Sequence, residues 1–418
     1  MIPFFNTLDF AKTLDASDDI SQFRQKFHFP KLNGEQAIYL TGNSLGLQPI
    51  TATMALNQEM TDWQNFGVEG HFHGKNPWMH YHKFLAQSAA NIVGALPHEV
   101  VVMNNLTVNL HLMLVSFYTP TPTRYKIIME AGAFPSDQYA IESQVKFHGF
   151  LPNDAIIEIE PREGEYHLRT EDILAVIDEH ANETALIMFS GVQYYTGQAF
   201  DMETIARAGH ASGIKVGFDL AHAAGNIRLQ LHDWNVDFAV WCGYKYLNSG
   251  PGGVSGVFIH EKYANDPTLP RFAGWWGHKE SERFQMKKGF IPEYGAAGWQ
   301  LSNAPVLSMS VHNAALKLFD EAGMEALTKK SKTLTAYLQF VIEESKLNLN
   351  IITPAEQRGC QLSILTNSDG KALFMHLQNN GIIADWREPN VIRMAPVPLY
   401  NSFEDVFKVG EILRSYRL

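Results

Sequence analysis

The chain of 418 residues reads as an α/β protein: a large domain with a mostly parallel sheet covered by helices on both faces, and a smaller α+β domain. Three observations predict this. Short apolar, β-branched runs recur at 100–103, 126–130, 156–159, 184–189, 215–218 and 236–241. Between most of them lie stretches of helical periodicity, at 108–117, 135–147, 171–180 and 201–211, and a helix between two strands returns the chain parallel to its start. Beyond residue 304 the pattern changes to helices over 305–346, interrupted at Gly323, then strands at 350–353, 361–365, 382–384 and 391–395 with helices at 369–379 and 402–414. The expected division is a large domain of 45–304 and a small one of 1–44 with 305–418.

Composition limits the partners. Hydrophobic content is 45% and charged content 18%, as in globular proteins. A net charge of −11 with no basic cluster argues against nucleic acid or an anionic membrane. Only Cys242 and Cys360 occur, so no disulfide framework is implied and a reducing compartment fits. The opening MIPFFNTLDFAKTLDASDDI carries acids where a signal peptide needs an apolar run, and no segment is long and apolar enough for a membrane span, so the cytoplasm is expected.

Taken in order, residues 1–40 suggest short amphipathic helices, with Ser17-Asp18-Asp19 capping one at 20–27. A strand at 38–40 runs into a turn whose Asn43 and Ser44 either bind a substrate's polar end or simply form a Gly-Asn turn. His71, His73, His80 and His82 surround GKNPW. No Cys or carboxylate completes a ligand set there and Pro77 breaks any helical register, so no metal is expected; a pocket-lining loop with His71 toward substrate is. A helix at 79–93 ends at Gly94. After the strand at 100–103, Asn104-Asn105-Leu106-Thr107 leads into a helix, either as a phosphate seat or as a plain Thr cap. Phe134 ends the next strand's turn, to stack on a flat ring or pack in the core, and Pro135 opens the following helix.

The stretch FDLAHAAGNIRLQLHDWNVDFAVWCGYKYLNSGPGG concentrates the chemistry. One apolar strand ends in Asp219 with His222 just beyond, and the next delivers Tyr244 and Lys245 into a Gly-rich turn. A Lys just past an apolar strand either pairs with an acid or acts as a nucleophile. A pyridoxal phosphate site uses such a Lys as a Schiff base and such an Asp to keep the pyridine nitrogen protonated; the structural alternative is an Asp helix cap and a solvent-facing Lys. Leu106/Thr107, Phe134/Asp137, Ser190, Asp219/His222 and Tyr244/Lys245 all fall at strand carboxyl ends, where such sheets bind ligands.

These motifs carry a resemblance. TGNSLGLQP, NNLTVNLHLM, RYKIIMEAGAFPSDQYAIESQ, FSGVQYYTGQ, VGFDLAHAAGN, LHDWNVDFAVWCGYKYLNSGPGG, FIHEKY and IRMAPVPLYNSF, in this order over nearly the whole chain, resemble the kynureninase family of fold type I, aspartate-aminotransferase-like pyridoxal phosphate enzymes. The resemblance implies hydrolysis of L-kynurenine, and of 3-hydroxykynurenine, to anthranilate or its hydroxy derivative and L-alanine, within tryptophan catabolism and NAD biosynthesis. It makes Lys245 the Schiff-base lysine, Asp219 the pyridinium partner and Tyr244 a proton-moving neighbour. Leu106, Thr107, Ser190 and Tyr244 would contact the cofactor's phosphate end, and Phe134, Pro135, Ser136, Asp137 and His222 would surround its ring. Trp275 and Asn303 would reach the cofactor from the other subunit of a homodimer. His71, Ser302 and Asn303 would surround the substrate's aromatic ring, and Arg393 would hold its α-carboxylate, unless a buried acid such as Asp385 or Glu404 pairs with Arg393 instead. The surface-like stretch 264–271 is one residue longer than the family pattern.

Other readings use the same residues differently. An aminotransferase needs the same Lys and Asp. A cysteine desulfurase needs a Cys on a mobile loop, and Cys242 and Cys360 fall in or beside strands. A nucleotide-binding module could use the glycines of 250–256, but no Gly-Lys-Ser/Thr follows them.

Overall fold

The computed structural model describes residues 3–32, 34–367 and 369–416; the outer ends of the expected small domain lie outside them. Its centre is a 7-stranded sheet. In chain order the strands are β1 (Val100–Met103), β2 (Lys126–Glu130), β3 (Ile156–Ile159), β4 (Thr184–Ser190), β5 (Lys215–Asp219), β6 (Phe238–Cys242) and β7 (Ser255–Ile259). In space they run β1-β7-β6-β5-β4-β2-β3, and only β7 is antiparallel to its neighbours. It follows β6 through the Gly-rich loop 243–254, which contains no helix to carry the chain back parallel.

Alternation along the strands explains why both faces are covered. Val100, Val102, Ile187, Phe189, Val216, Phe218, Ala239 and Trp241 enter one buried cluster, while Val101, Met103, Leu186, Met188, Phe238 and Val240 enter another. Successive side chains point to opposite faces, so an almost unbroken apolar run gives a sheet two cores. Helices Leu106–Phe117 and Pro135–Phe147 pack together over the second core.

A third cluster joins Ala11, Ile38 and Leu40 to residues of 334–413, so the N-terminal segment is built into the C-terminal part. The Asp15 carboxylate accepts from Phe403 N (2.8 Å) and Glu404 N (2.9 Å), at the positive end of helix Phe403–Ser415. Asp18 pairs with Lys330 at 2.7 Å, both buried, and Arg24 with Asp405 at 2.7 Å. A 4-stranded sheet places Val391–Met394 between Asp385–Arg387 and Leu362–Leu365.

Several expectations change. The segment 20–27 is a 3-10 turn, Ser21–Lys26, and not an α-helix; Asp18 Oδ1 accepts from Ile20 N (3.1 Å) just ahead of it. Phe27–His28, Lys31–Leu32, Glu35–Gln36 and Ile38–Tyr39 form two-residue strands. Ile382–Ile383 pairs with Ile38–Tyr39, outside the 4-stranded sheet. The helix expected at 79–93 starts at Tyr81, after a 3-10 turn at Trp78–His80. Helix Ile50–Phe66 was not anticipated, and it packs on helix Val306–Ala322 while leaving Met54 and Trp63 exposed. Of the Trp275-Trp276 pair only Trp275 stays exposed; Trp276 is buried under the Arg283 guanidinium, 4.4 Å from its ring centroid. Among the described residues no helix is long and apolar enough to cross a membrane.

Candidate active site

The carboxyl ends of β1, β2, β4, β5 and β6 meet at one cavity. Leu106, Thr107, Phe134, Ser136, Asp137, Ser190, Asp219, His222, Tyr244 and Lys245 line it, with Val192, Tyr194 and Ala221 completing the wall. Asp219 is the last residue of β5, in register with Ser190 on one side and Val240 on the other. That pairing fixes its backbone, and its Oδ1 accepts from Ala221 N at 2.6 Å. Lys245 leaves β6 through Gly243, where a Cβ would lie 2.4 Å from Val254 O and 2.6 Å from Ser249 Oγ; only glycine lets the turn pass so close. The Lys245 ammonium stands 5.6 Å from the centroid of the Phe134 ring.

The electrostatics are those of a dry, acid-rich pocket. Burial raises the Asp219 carboxyl, opposed by the Ala221 N–H and the Lys245 charge. Asp137 is raised well above the carboxylate range by burial and by the charges of Asp219 and Glu130. Glu130, the last residue of β2, is pushed up to about 7, mainly by burial; its Oε1 accepts from Ser190 Oγ at 2.5 Å. His222 is held well below its usual range by burial and then by the Lys245, Arg393 and Arg387 charges, so its ring is neutral. Burial pushes the Tyr244 hydroxyl up to about 12, so it keeps its proton at neutral pH.

Pyridoxal phosphate fits these residues on three counts. Helices Leu106–Phe117 and Pro135–Phe147 both start without a side-chain cap, and Thr107 Oγ1 and Ser136 Oγ in their first turns lie 2.7 Å apart. Uncapped first-turn amides with two hydroxyls make an anion seat. Buried Asp219 offers the partner a pyridinium nitrogen needs, and Lys245 the amine for an aldehyde. His222 Nδ1 and Asp137 Oδ1 are buried without a hydrogen-bond partner, polar atoms turned to a group beyond the protein's own. Thr107 lies inside its helix, behind the N-cap Asn105, so the Thr-cap alternative does not hold.

Other expected residues stand outside this cavity. Pro135 is exposed at the start of its helix. Asn43 is buried, its Nδ2 donating to Gln361 Oε1 (2.9 Å), while Ser44 is exposed. Arg393 is fully buried; Nη1 donates to Tyr194 O (2.6 Å) and Nη2 pairs with Asp385, which is therefore the acid partner, not Glu404. His71 bonds Val68 O at 3.0 Å and meets Trp78 edge-on. Trp275, Ser302 and Asn303 are exposed and do not line the cavity of their own chain. The four histidines of 71–82 do not converge: His73 lies 3.7 Å from Glu69, His80 lies 3.2 Å from Glu280, and His82 is buried. The one clustered trio among the described residues, Glu99, His232 and His260, spends its atoms on hydrogen bonds, His232 Nδ1 to Glu99 Oε1 at 3.0 Å and Lys262 N to His260 Nδ1 at 3.1 Å. Glu130 and Tyr194 were missed. Glu130 shows the same sign as Asp219, an acid closing an apolar strand; Tyr194 shows none, because a loop's tertiary path places it.

Solved structures share this architecture. The chain superposes on a cystine C–S lyase, C-DES, with a TM-score of 0.76 at 17% identity, over 91% of this chain and 98% of that one. It superposes on a cysteine desulfurase from Thermococcus onnurineus NA1 with a TM-score of 0.75 at 16% identity, over 90% and 94%. Fold and cavity together are those of the fold type I pyridoxal phosphate enzymes. Closer relatives narrow the class. A kynureninase of Flavobacterium psychrophilum is 56% identical over 98% of each chain, and one of Myxococcus xanthus is 53% identical over 99% of this chain and 98% of the relative. The family model for the kynureninase C-terminal domain matches residues 327–413. The chain belongs to the kynureninase family.

Proposed function

We infer that the chain hydrolyses the Cβ–Cγ bond of L-kynurenine to anthranilate and L-alanine, and that of 3-hydroxy-L-kynurenine likewise, with pyridoxal 5'-phosphate as cofactor. The observation that carries this is the meeting of Lys245, Asp219 and a neutral His222 in one cavity, in a chain whose near-full-length relatives are kynureninases. The bound cofactor supplies an electron sink for the substrate's α-carbon. Lys245 would hold the cofactor through its aldehyde, and its amine would move the substrate's α-proton. Asp219 would keep a proton on the ring nitrogen. Neutral His222 would line the cofactor's place in the cavity without adding a competing positive charge. Tyr244, still protonated at neutral pH, donates a proton beside Lys245. Arg393 receives the substrate carboxylate.

Residues 45–304 form the part that carries the cofactor, and 1–44 with 305–418 the part that brings Arg393 to it. The chain works as a homodimer in which Trp275 and Asn303 complete the neighbour's site; their exposure supports this, since neither serves the cavity of its own chain. The assay is direct: protein, cofactor and L-kynurenine should give anthranilate fluorescence and equimolar alanine without a keto acid. Product that appears only with a keto acid, and without anthranilate, would make the protein an aminotransferase. A desulfurase route is disfavoured because both cysteines are buried. His71 and Asn303 are further expected to set ring preference. Replacing either should change the ratio of kcat/KM for kynurenine and 3-hydroxykynurenine by about tenfold, within the roughly 1–3 kcal/mol that a polar group left unpaired costs; unchanged ratios in both variants would remove them from the substrate pocket.

A further inference from the structure

Beside the cavity, two guanidiniums share one carboxylate. Asp385 lies directly opposite Arg393 across the antiparallel pair Asp385–Arg387 and Val391–Met394. Arg387 is two residues along from Asp385, so period-two alternation puts all three side chains on one face of the small sheet. Asp385 pairs with Arg393 and, through Oδ2, with Arg387 Nη2 at 3.2 Å. It is the one acid within ion-pair distance of either arginine among the described residues. The trio therefore carries one positive charge in excess, and the Nε atoms of both Arg387 and Arg393 are buried without a partner. The face is turned to the reaction site. Arg393 Nη1 reaches the backbone of the wall residue Tyr194, and both arginine charges act on His222. Exposure separates the two: Arg393 is sealed at 1% and the Arg387 side chain is open at 37%.

One excess charge and two unpaired donors describe a receptor for one further carboxylate. The guanidinium nearest the cavity is, however, already occupied by Asp385. We propose that Asp385, Arg387 and Arg393 form a carboxylate-exchange site, in which the substrate's α-carboxylate displaces Asp385 from Arg393 and Arg387 takes up the displaced Asp385. Arg387 is then a positioning residue. It never needs to touch substrate; it lowers the cost of freeing Arg393 by keeping Asp385 paired throughout, because a half-buried carboxylate left without its partner is penalised. The exchange breaks and forms only ion pairs, and the incoming anion offsets the one positive charge the trio carries in excess.

The inference rests on the reading of the cavity as a kynurenine-hydrolysing site, and the test separates the two. In the holoenzyme, Arg387→Gln should raise KM for L-kynurenine about tenfold or more, the worth of one charge-assisted contact, while kcat changes less than about twofold. The dissociation constant of L-alanine, read from the cofactor's absorbance at equilibrium, should rise in parallel. Arg387→Lys keeps the charge and should recover most of the loss. The double variant Arg387→Gln, Asp385→Asn should return KM toward the wild-type value, because nothing then competes for Arg393. Wild-type KM and alanine affinity in Arg387→Gln would overturn the exchange while leaving the hydrolase reading intact, as would a double variant no better than the single one. If the double variant does not fold, the single Gln and Lys variants decide. Failure of the wild-type protein to yield anthranilate would refute the hydrolase reading itself.

Discussion

A Lys245→Ala protein is expected to fold normally and to lose kynurenine cleavage by at least about 10⁴-fold, the upper end of what one positioned acid–base group contributes. Two roles disappear together: the amine that holds the cofactor aldehyde, and the base beside the substrate's α-carbon. The fold should survive, because Lys245 is only half-buried and follows β6 instead of belonging to a core cluster. What fixes the turn is elsewhere: Gly46 N donates to Tyr244 O at 2.8 Å, and Gly243 makes its close approach to Val254. The measurement is borohydride reduction followed by peptide mass analysis. Wild-type protein should carry the reduced cofactor on the Lys245 peptide, and the variant on none. Cofactor still covalently fixed in the variant, or turnover within a hundredfold of wild type, would remove Lys245 from its role.

Subunit mixing should show the second largest effect. One protein carries Lys245→Ala, the other Trp275→Ala with Asn303→Ala, and each alone should be nearly inactive. Unfolded and refolded together, random pairing leaves roughly a quarter of all sites with every residue intact, because each mixed dimer assembles one complete site and one doubly defective one. The physical basis is the exposure of both Trp275, at 43%, and Asn303: neither lines the cavity that holds Lys245. Exposed Phe272, Phe284 and Met286 accompany Trp275, an apolar group that solvent alone does not favour. Heterodimers proven to form yet no more active than the two parents would show that each chain builds its own site.

The cofactor half of the site was legible because strand periodicity is local. Runs that alternate into two cores end in chemistry-bearing residues, and a parallel sheet gathers those ends at one edge. Asp219, Ser190, Tyr244 and Lys245 could therefore be placed together without any knowledge of packing. Glu130 obeyed the same rule and was passed over, although it closes β2 as Asp219 closes β5. The surroundings of Arg393 were less legible. Arg393 stood out as a charge in an apolar strand, but its engagement by Asp385 and the presence of Arg387 on the same face depend on which strand pairs with which.

By itself, then, the sequence determined the alternating α/β pattern, the strand ends whose residues line the cavity, and the family to which these motifs belong. Only the tertiary structure decided that β7 runs antiparallel, that residues 20–27 turn without forming an α-helix, and that Ile38 pairs with Ile382 across most of the chain. The same holds for the ionisation of the pocket, where burial and neighbouring charges keep His222 neutral and raise Asp137. Periodicity reports what each residue's own element does with it. Pairing partners, burial depth and the field at a titrating group are sums over atoms remote in sequence, and they come into being only when the chain has folded.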